Sequence, residues 1–253
     1  TLTKHAIKQQ STKIIFWPET LTISLNLQNK KFVSKLKKLC KQNKCSIIFG
    51  TPTKSEGKYY NSIATITEKG LINPVYNKVQ LMPLGEYWPG RKWISKAGLG
   101  HLLPENDFSK GTTLSPLKSG IYKIGPGICL ESLFPWYSRQ FSQKGATLLY
   151  SAVNNAWFFN SSAAERHLTM SIVRAVENNK YFIQAANTGL SAIINAKGGI
   201  IAKTTLNKKE LCQAIIPMNT KPTIYTKYGN WIILISGLLL FLSLKKKRKS
   251  QIK

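Results

Sequence analysis

Short apolar runs, each bounded by glycine, proline or charged residues, dominate the first third of the chain. Four of them have the β-branched and aromatic content of buried strands: residues 13–17, 45–52, 59–66 and 71–81. We expect the second run to stop at Gly50 and Pro52, because both residue types interrupt strands. Between the first two runs, Phe32, Leu36 and Leu39 recur at helical spacing, which predicts a lysine-covered helix over residues 30–45.

The remainder of the chain continues this alternation. Strand-like runs occur at residues 120–130, 146–153, 182–187, 191–206 and 212–217. Leu168, Ile172, Ala175 and Val176 form one stripe, which predicts the clearest helix over residues 163–179. Residues 85–114 are aromatic and lack a period, so we expect a long irregular segment there. Strands and helices alternate without an internal repeat, which predicts an α/β fold with much antiparallel or mixed sheet.

The C-terminus differs from the rest of the chain. Residues 231–244 (WIILISGLLLFLSL) carry no charge, and five basic residues, 245–249, follow directly. As a helix this run would be about 21 Å long, shorter than the roughly 30 Å hydrocarbon core of a bilayer. Snorkelling lysines would extend it, so we predict a transmembrane helix with a cytoplasmic tail; a buried terminal helix is the alternative. The predicted division is a domain over residues 1–228 and a membrane helix with its tail over residues 229–253.

Charge is the most unusual feature of the composition. The 253 residues include 37 Lys and Arg against 10 Asp and Glu, a formal net charge of +27. Such a balance favours nucleic acid or an anionic membrane surface as a partner. The lysines are scattered, without an arginine-rich helix or finger spacing, so we expect no nucleic-acid partner, and a general lysine bias is the alternative. The chain has no initiator Met or N-terminal apolar segment, so we expect it to be the C-terminal part of something longer.

The four cysteines do not form a recognisable metal or disulfide pattern. Cys40 and Cys45 are separated by four residues, and no second pair completes a zinc site with them. Four scattered cysteines in a chain of this length do not make a disulfide framework. We therefore predict no metal and no cofactor, and a bridge between Cys40 and Cys45 stays open.

Three chemically useful side chains follow predicted strands. Glu19 comes directly after the run ending at Trp17, Lys78 lies near the end of the run 71–81, and Cys129 ends the run 120–130. Strand ends are where α/β active sites gather. Each residue also has an ordinary explanation: a capping or solvated acid, a lysine on a solvated face, and a small buried hydrophobe.

Glu131 makes a catalytic Cys129 more probable, because a carboxylate in an apolar run is costly unless it has a partner. In a strand, residues 129 and 131 share one face. A carboxylate base can take the thiol proton, while the ammonium of Lys78 and the amide N–H of Leu130 can stabilise an oxyanion. The residues thus predict nucleophilic acyl transfer without histidine, and a Cys–His dyad is the weaker hypothesis.

Four passages, in this order, resemble the nitrilase or carbon–nitrogen hydrolase superfamily: FWPET (residues 16–20), YNKVQLMPLGEYWPG (76–90), ICLESLFP (128–135) and residues 151–193. The combination of residues 83–87 with 129–131 is closer to one branch, the apolipoprotein N-acyltransferases. Residues 225–240 also look like the exit of that branch into its last membrane helix. The similarity covers about residues 13–244.

The resemblance implies a four-layer αββα nitrilase-like sandwich with a Glu–Lys–Cys triad. Glu19 would be the general base, Lys78 the oxyanion donor and Cys129 the nucleophile that becomes a thioester. Glu86 and Glu131 would orient Lys78 and the substrate amine, which gives Glu131 a partner on the lysine side. The other side chains expected to support the site or bind substrate are Tyr87, Asn154 and Trp157.

The implied reaction moves a fatty acyl chain from a phospholipid to the N-terminal amine of a diacylglyceryl-cysteine lipoprotein. The implied place is the bacterial inner membrane, with the catalytic domain in the periplasm and the tail in the cytoplasm. Aromatic residues near the strand ends suit a lipid–water boundary or are simply lid packing: Tyr87, Trp88, Trp93, Phe134, Trp136, Tyr137, Trp157, Phe158 and Phe159.

The sequence also departs from the family pattern. The large N-terminal membrane region and the usual first strand are missing, Asn155 stands where the family more often has Asp, and residues 161–167 lack the usual Gly and Pro. A superfamily amidase and an inactive truncated relic of the acyltransferase therefore remain as alternatives.

Overall fold

A computed structural model describes residues 2–8, 13–19, 26–156 and 161–250, with side chains up to residue 244. Within these residues, the first sheet contains four strands in the order β1-β2-β3-β4. They are β1 (Ile14–Phe16), β2 (Ser46–Ser55), β3 (Lys58–Ile66) and β4 (Tyr76–Asn77). Strand β1 pairs with β2 in parallel, and the other pairs are antiparallel.

The second sheet has six strands in the order β10-β9-β8-β7-β6-β5. Their bounds are Leu117–Ser119 (β5), Tyr122–Ile128 (β6), Leu148–Asn154 (β7), Tyr181–Asn187 (β8), Ala192–Ile194 (β9) and Ile200–Lys203 (β10). Strands β6, β7 and β8 are parallel neighbours, whereas the flanking pairs are antiparallel. The C-terminal ends of β6, β7 and β8 therefore meet at one edge, where loops can converge.

Helices cover the outer face of each sheet, and the two sheets face each other. Helix α2 (Lys30–Asn43) packs on β2 and β3, while α4 (Pro135–Gln143) and α5 (Ala163–Asn178) pack on the second sheet. The shorter described helices are α1 (Leu2–Lys8), α3 (Arg91–Lys96), α6 (Ile224–Tyr228) and two 3₁₀ helices, Gly100–Leu102 and Cys129–Leu133. The fold is thus the nitrilase-like α/β sandwich that the sequence predicts.

Three strand predictions are wrong in extent. The run 71–81 is a strand only at β4. After the Lys78 amide, which still donates to the Asn61 carbonyl of β3, the amides of Val79 and Gln80 donate to the Glu131 carboxylate instead of a neighbouring strand. The run 212–217 is not a strand, and Ile215 is 91% exposed instead of buried. Strand β2 continues through Gly50 and Pro52 to Ser55, because it forms a long hairpin with β3.

The C-terminal apolar run forms helix α7 (Trp231–Ser250), whose apolar side chains are mostly exposed. Among the helices described, none combines the length and the apolar character that crossing a membrane requires, so the predicted transmembrane helix is not confirmed.

Two glycines of β6 provide a test of packing between the second sheet and α4. A Cβ at Gly125 would lie 2.7 Å from the Cβ of Phe141, whereas at Gly127 the nearest atom would be 3.4 Å away, on the Tyr137 ring. Because overpacking a dense core typically costs about 1–3 kcal/mol, G125A should lower the free energy of unfolding by that amount, and G127A by clearly less. Urea denaturation of both variants measures the difference, and equal losses would contradict this account of the core.

Candidate active site

Cys129 lies at a sharp turn between β6 and the 3₁₀ helix Cys129–Leu133. Its φ of 51° is in the left-handed region, which is unfavourable for a residue with a Cβ. Two side chains stabilise the turn through the Cys129 carbonyl oxygen, His167 through Nε2 at 3.0 Å and Ser132 through Oγ at 3.2 Å. The amide N–H before the turn, at Ile128, donates to Glu131 at 2.9 Å. The nucleophile candidate is therefore held by bonds on both sides of its own residue.

Glu131 is fully buried and connects the Cys129 turn to the Lys78 loop. Besides Ile128, its carboxylate accepts hydrogen bonds from the amides of Val79 (2.7 Å) and Gln80 (2.9 Å). The hydroxyls of Tyr76 and Tyr137 reach the same carboxylate at 2.8 Å and 3.0 Å. Its described partners are thus backbone amides and phenols from both sides of the site, Ile128 and Tyr137 beside the cysteine turn and Tyr76, Val79 and Gln80 beside the lysine. Burial raises the pKa of Glu131, and Lys78 is among the groups that lower it; a role of Glu131 in orienting Lys78 stays a prediction.

Glu86 is the carboxylate that pairs with Lys78. The Nζ–Oε2 distance is 2.8 Å, and the Lys78 side chain is only 3% exposed. The amide Nδ2 of Asn61 donates to Glu86 and to Glu19, each at 2.7 Å. Lys78, Glu86, Asn61 and Glu19 therefore form one buried chain of polar contacts.

Burial and neighbouring charges set the pKa values of Glu19 and Lys78. Burial raises the pKa of Glu19, and Lys78 and Asn61 only partly oppose this effect. A carboxylate with a raised pKa is a stronger base than an ordinary one, which suits proton abstraction. For Lys78, burial lowers the pKa, but the surrounding negative groups, Glu86 first, outweigh it and raise the pKa overall. Lys78 is thus a permanent ammonium at neutral pH.

The Cys129 thiol is 7% exposed, and burial raises its pKa to about 12. Glu19 raises this pKa further, while Lys78 and the Leu130 amide lower it. Asn61 links Glu19 to Glu86, which pairs with Lys78, and both Glu19 and Lys78 affect the pKa of Cys129. The structure thus brings residues 19, 78 and 129 together, and their catalytic roles stay a prediction. A neutral thiol beside a base needs its proton removed as it attacks, and Lys78 and the Leu130 N–H are suitable donors for the resulting oxyanion.

The remaining predicted site residues are more peripheral. Asn154, at the end of β7, accepts from the Ala156 amide at 3.1 Å and lies 3.3 Å from the Thr188 hydroxyl. Its backbone N–H also lowers the pKa of Glu19, which places it beside the acid. Tyr87 is half-buried and lines a cavity of about 440 Å³ with Val79 and Gln80. Trp157, like Phe158 and Phe159, lies outside the described residues.

Four residues that support the site were not predicted: Asn61, Tyr76, Tyr137 and His167. Asn61 and Tyr76 sit on strands, where a single polar residue among apolar neighbours gives no distinctive signal. The sequence indicates Tyr137 only as an aromatic of a lipid–water boundary or a lid, whereas its buried hydroxyl contacts Glu131 and Tyr76. His167 could have been found from helix geometry, because it lies on the buried stripe of α5, one position before Leu168.

The contacts of His167 define its tautomer. The Cys129 carbonyl can only accept, so Nε2 carries the proton and Nδ1 has the lone pair. The atom of Asn155 placed near Nδ1 is the amide oxygen, at 3.4 Å, which cannot donate a hydrogen bond. Turning the amide over places its nitrogen there, and that N–H group then donates to Nδ1. That orientation also gives a partner to Asn155 Nδ2, which has none among the described residues. His167 is therefore a neutral support of the Cys129 turn.

No group of three or more His, Cys, Asp or Glu side chains in the described parts of the chain is arranged to hold a metal ion. We assign none of these residues to a metal or cofactor.

Comparison with known proteins shows which family and which relatives this chain is similar to. A family model for carbon–nitrogen hydrolases matches residues 1–223. The chain is 31% identical over 261 residues to the apolipoprotein N-acyltransferase of Geobacter metallireducens, covering 98% of this chain and 49% of the relative. It is 37% identical over 162 residues to the apolipoprotein N-acyltransferase of Rickettsia typhi, and this match covers 63% of this chain and 32% of the relative. The chain spans about half the length, or less, of the curated relatives it matches.

Solved structures support the fold. A carbon–nitrogen hydrolase from Helicobacter pylori superposes with a TM-score of 0.65 at 18% identity, covering 82% of this chain and 79% of that one. The Caenorhabditis elegans NitFhit protein gives a TM-score of 0.62 at 22% identity, and the match covers 80% of this chain and 52% of that one. At these identities the likeness concerns the fold alone.

The buried histidine generates a pH prediction. Burial lowers the pKa of His167 to about 4, so between pH 6.5 and 4 the unfolded chain binds a proton that the folded chain does not. Stability is therefore full above pH 6.5 and falls as the pH drops, by about 3 kcal/mol at pH 4 from this group. H167Q keeps a neutral donor but cannot titrate, so its free energy of unfolding, measured by urea denaturation, should fall less over this range.

H101Q is the control, since His101 is exposed. Subtracting each variant's curve from that of the unmodified chain removes the contributions of the carboxylates. If H167Q and H101Q have the same pH dependence, His167 is not held neutral by its surroundings.

Proposed function

The chain belongs to the carbon–nitrogen hydrolase family, and we propose that it is the catalytic part of an N-acyltransferase. In this proposal, Cys129 takes a fatty acyl chain from a phospholipid and passes it to the N-terminal amine of a diacylglyceryl-cysteine lipoprotein. The relatives named apolipoprotein N-acyltransferase support the substrate class. We propose that residues 1–228 form the catalytic domain and that the reaction takes place at the periplasmic face of the bacterial inner membrane.

The observation that carries the proposal is the buried ammonium of Lys78. It is 2.8 Å from Glu86 and close enough to Cys129 and Glu19 for all three groups to shift its pKa. A fixed positive charge beside a buried thiol stabilises the negative oxygen of a tetrahedral intermediate, and it does so without reorganising during the reaction. This arrangement favours attack on a carbonyl by the sulfur.

In the first half-reaction, Glu19 removes the thiol proton as the Cys129 sulfur attacks the ester carbonyl of the phospholipid. Lys78 and the Leu130 N–H bind the oxyanion. When the intermediate collapses, the carbon–oxygen ester bond breaks and the departing alkoxide takes the proton back from Glu19. The products are a lysophospholipid and an acyl thioester on Cys129.

In the second half-reaction, the lipoprotein amine attacks the thioester carbonyl and gives a proton to Glu19. The same donors bind the second oxyanion. The carbon–sulfur bond then breaks, the thiolate recovers the proton, and an amide is formed. Glu86 holds the ammonium in place, and Glu131 fixes the two loops; Asn154, Tyr87 and Trp157 remain predicted contributors to substrate binding.

Exposed apolar side chains fit a lipid substrate. In the irregular segment around α3, Trp93 is 78% exposed, Leu102 66% and Leu84 63%. Helix α7 adds a further row of exposed leucines and isoleucines. Single exposed hydrophobic residues are common, but such grouping marks an interaction surface. We propose that these two regions contact membrane lipid, an attraction that the formal charge of +27 strengthens for anionic headgroups.

The thioester is the decisive species. Incubation of the protein with phosphatidylethanolamine in detergent should add the mass of one acyl chain to the peptide that contains Cys129, and hydroxylamine should remove it. C129A should give no adduct, because it lacks the sulfur, whereas C212A should retain it. An adduct on C129A would show that the nucleophile is wrong.

The same assay separates the alternatives. Release of ammonia from small amides without lipid acylation would support an amidase, and a folded protein with neither activity would support the relic.

Lys78 provides the second kinetic test. Loss of one oxyanion donor typically costs about 10²–10³ in rate, so K78A should slow thioester formation by at least that factor. K35A is the matched control, because Lys35 is exposed on α2, outside the two regions proposed to contact lipid, and it should remain close to the unmodified rate. Rapid mixing followed by mass analysis gives both rates, and a K78A rate near that of K35A would contradict the assigned role.

A further inference from the structure

The C-terminus of α2 brings two cysteines together. Lys44 has a left-handed φ of 48°, and its N–H donates to the Lys41 carbonyl at 3.4 Å. The next amide, of Cys45, donates back to the Cys40 carbonyl at 3.2 Å. These two hydrogen bonds form a Schellman motif. In this motif, the residue whose N–H donates the outer bond and the residue whose carbonyl accepts it usually have side chains in contact. Here those two positions are Cys40 and Cys45.

The surroundings of the two thiols are closed and apolar. Cys40 is 0% exposed and Cys45 1%, and both belong to the core cluster that includes Ile47 and Ile66. The Cys40 thiol lies 3.7 Å from the Ile66 carbonyl. Each cysteine also shifts the pKa of the other, upward for Cys40 and downward for Cys45. This mutual effect agrees with the Schellman geometry, which brings the side chains at positions 40 and 45 together.

We propose that Cys40 and Cys45 are a modification site, at which a disulfide closes the end of α2 when the chain is in an oxidising compartment. Two thiols lose two protons and two electrons as the sulfur–sulfur bond forms. The electron acceptor is a small or protein disulfide, such as oxidised glutathione, which is reduced to two thiols.

The bridge would stabilise the first sheet of the sandwich near the start of β2. Helix α2 packs on β2, and β2 pairs with β1, whose end leads to Glu19. The Gly50 amide in β2 donates to the Pro18 carbonyl at 3.3 Å, directly before the acid. A bridge at the start of β2 therefore stabilises the strand that positions the proposed base.

The pairing itself is independent of the proposed reaction, and only the compartment rests on it. The test is accordingly a measurement of thiol chemistry that needs no activity. If the acyl thioester never forms and the bridge does, only the proposed function fails.

The experiment compares the bridge in folded and unfolded protein. The full chain is equilibrated in glutathione buffers of graded redox ratio, with and without denaturing urea, from both reduced and oxidised starting material. At each glutathione ratio, the ratio of bridged to reduced protein gives the effective concentration of one thiol relative to the other. If folding holds the thiols together, this effective concentration should be on the order of tenfold higher in the native protein than in urea. An equal or lower value in the native protein would overturn the proposal.

Digestion with trypsin allows the bridge to be detected by mass analysis. Cleavage after Lys38, Lys41, Lys44 and Lys54 separates the two cysteines into different peptides, residues 39–41 and 45–54. Bridged protein yields these two peptides joined, about 2 Da lighter than their sum, after free thiols have been alkylated. Glutathione on either cysteine, or a link from either to Cys212, would also overturn the proposal.

Two variants complete the design. C212S removes the other cysteine outside the proposed active site and should leave the joined peptides unchanged. C40S should abolish them and leave Cys45 open to alkylation after unfolding. If the C40S chain folds poorly, the measurement on the unmodified chain still decides the question.

Discussion

The buried carboxylate of Glu131 is the interaction on which the site depends. It accepts amide hydrogen bonds from residues on both sides of the pocket, Ile128 on one side and Val79 and Gln80 on the other. Lys78 immediately precedes the second pair, and Cys129 immediately follows Ile128. One side chain therefore sets the distance between the ammonium and the sulfur. Burial raises the pKa of Glu131 and the N–H donors lower it, so the bonds offset the cost of placing a carboxylate there.

The charge arrangement around the sulfur differs from that of a Cys–His pair. Glu19, Glu86 and Glu131 are three of only 10 acidic residues in a chain of net charge +27, and the first two act directly on the Lys78 ammonium. Burial raises the pKa of the Cys129 thiol, and Glu19 and Glu86 add to this effect, so the thiol is protonated at rest. A resting thiol resists oxidation and stray alkylation, since the thiolate is the reactive form. Its activation then requires the proton to move to Glu19 as the substrate arrives.

The sequence predicted the positions of the acid, lysine and cysteine because each follows a run of strand-forming residues. It did not predict their supports, because Asn61 and Tyr76 acquire their roles only when two sheets and a loop meet. The amide partners of Glu131 could not be predicted for a related reason: backbone amides carry no sequence signal. The same amides explain the overlong strand at residues 71–81, since Val79 and Gln80 have strand-like neighbours but bond to a distant carboxylate. The 2.8 Å pairing of Lys78 with Glu86 was implied by the family resemblance and not by spacing alone.

Hydrogen bonds from Arg139 join the segment that leads into the apolar C-terminal helix to the helix that follows the nucleophile. Arg139 on α4 donates to the carbonyls of Tyr225, Thr226 and Lys227 at 3.0, 3.1 and 2.9 Å. These carbonyls belong to α6, which leads into α7. Helix α4 itself starts at Pro135, two residues after the 3₁₀ helix that begins at Cys129. The start of α7 is thus fixed relative to the thiol. If α7 lies against lipid, as we propose, the sulfur is held at a defined position relative to the membrane, which is what an enzyme needs when its acyl donor arrives from that surface.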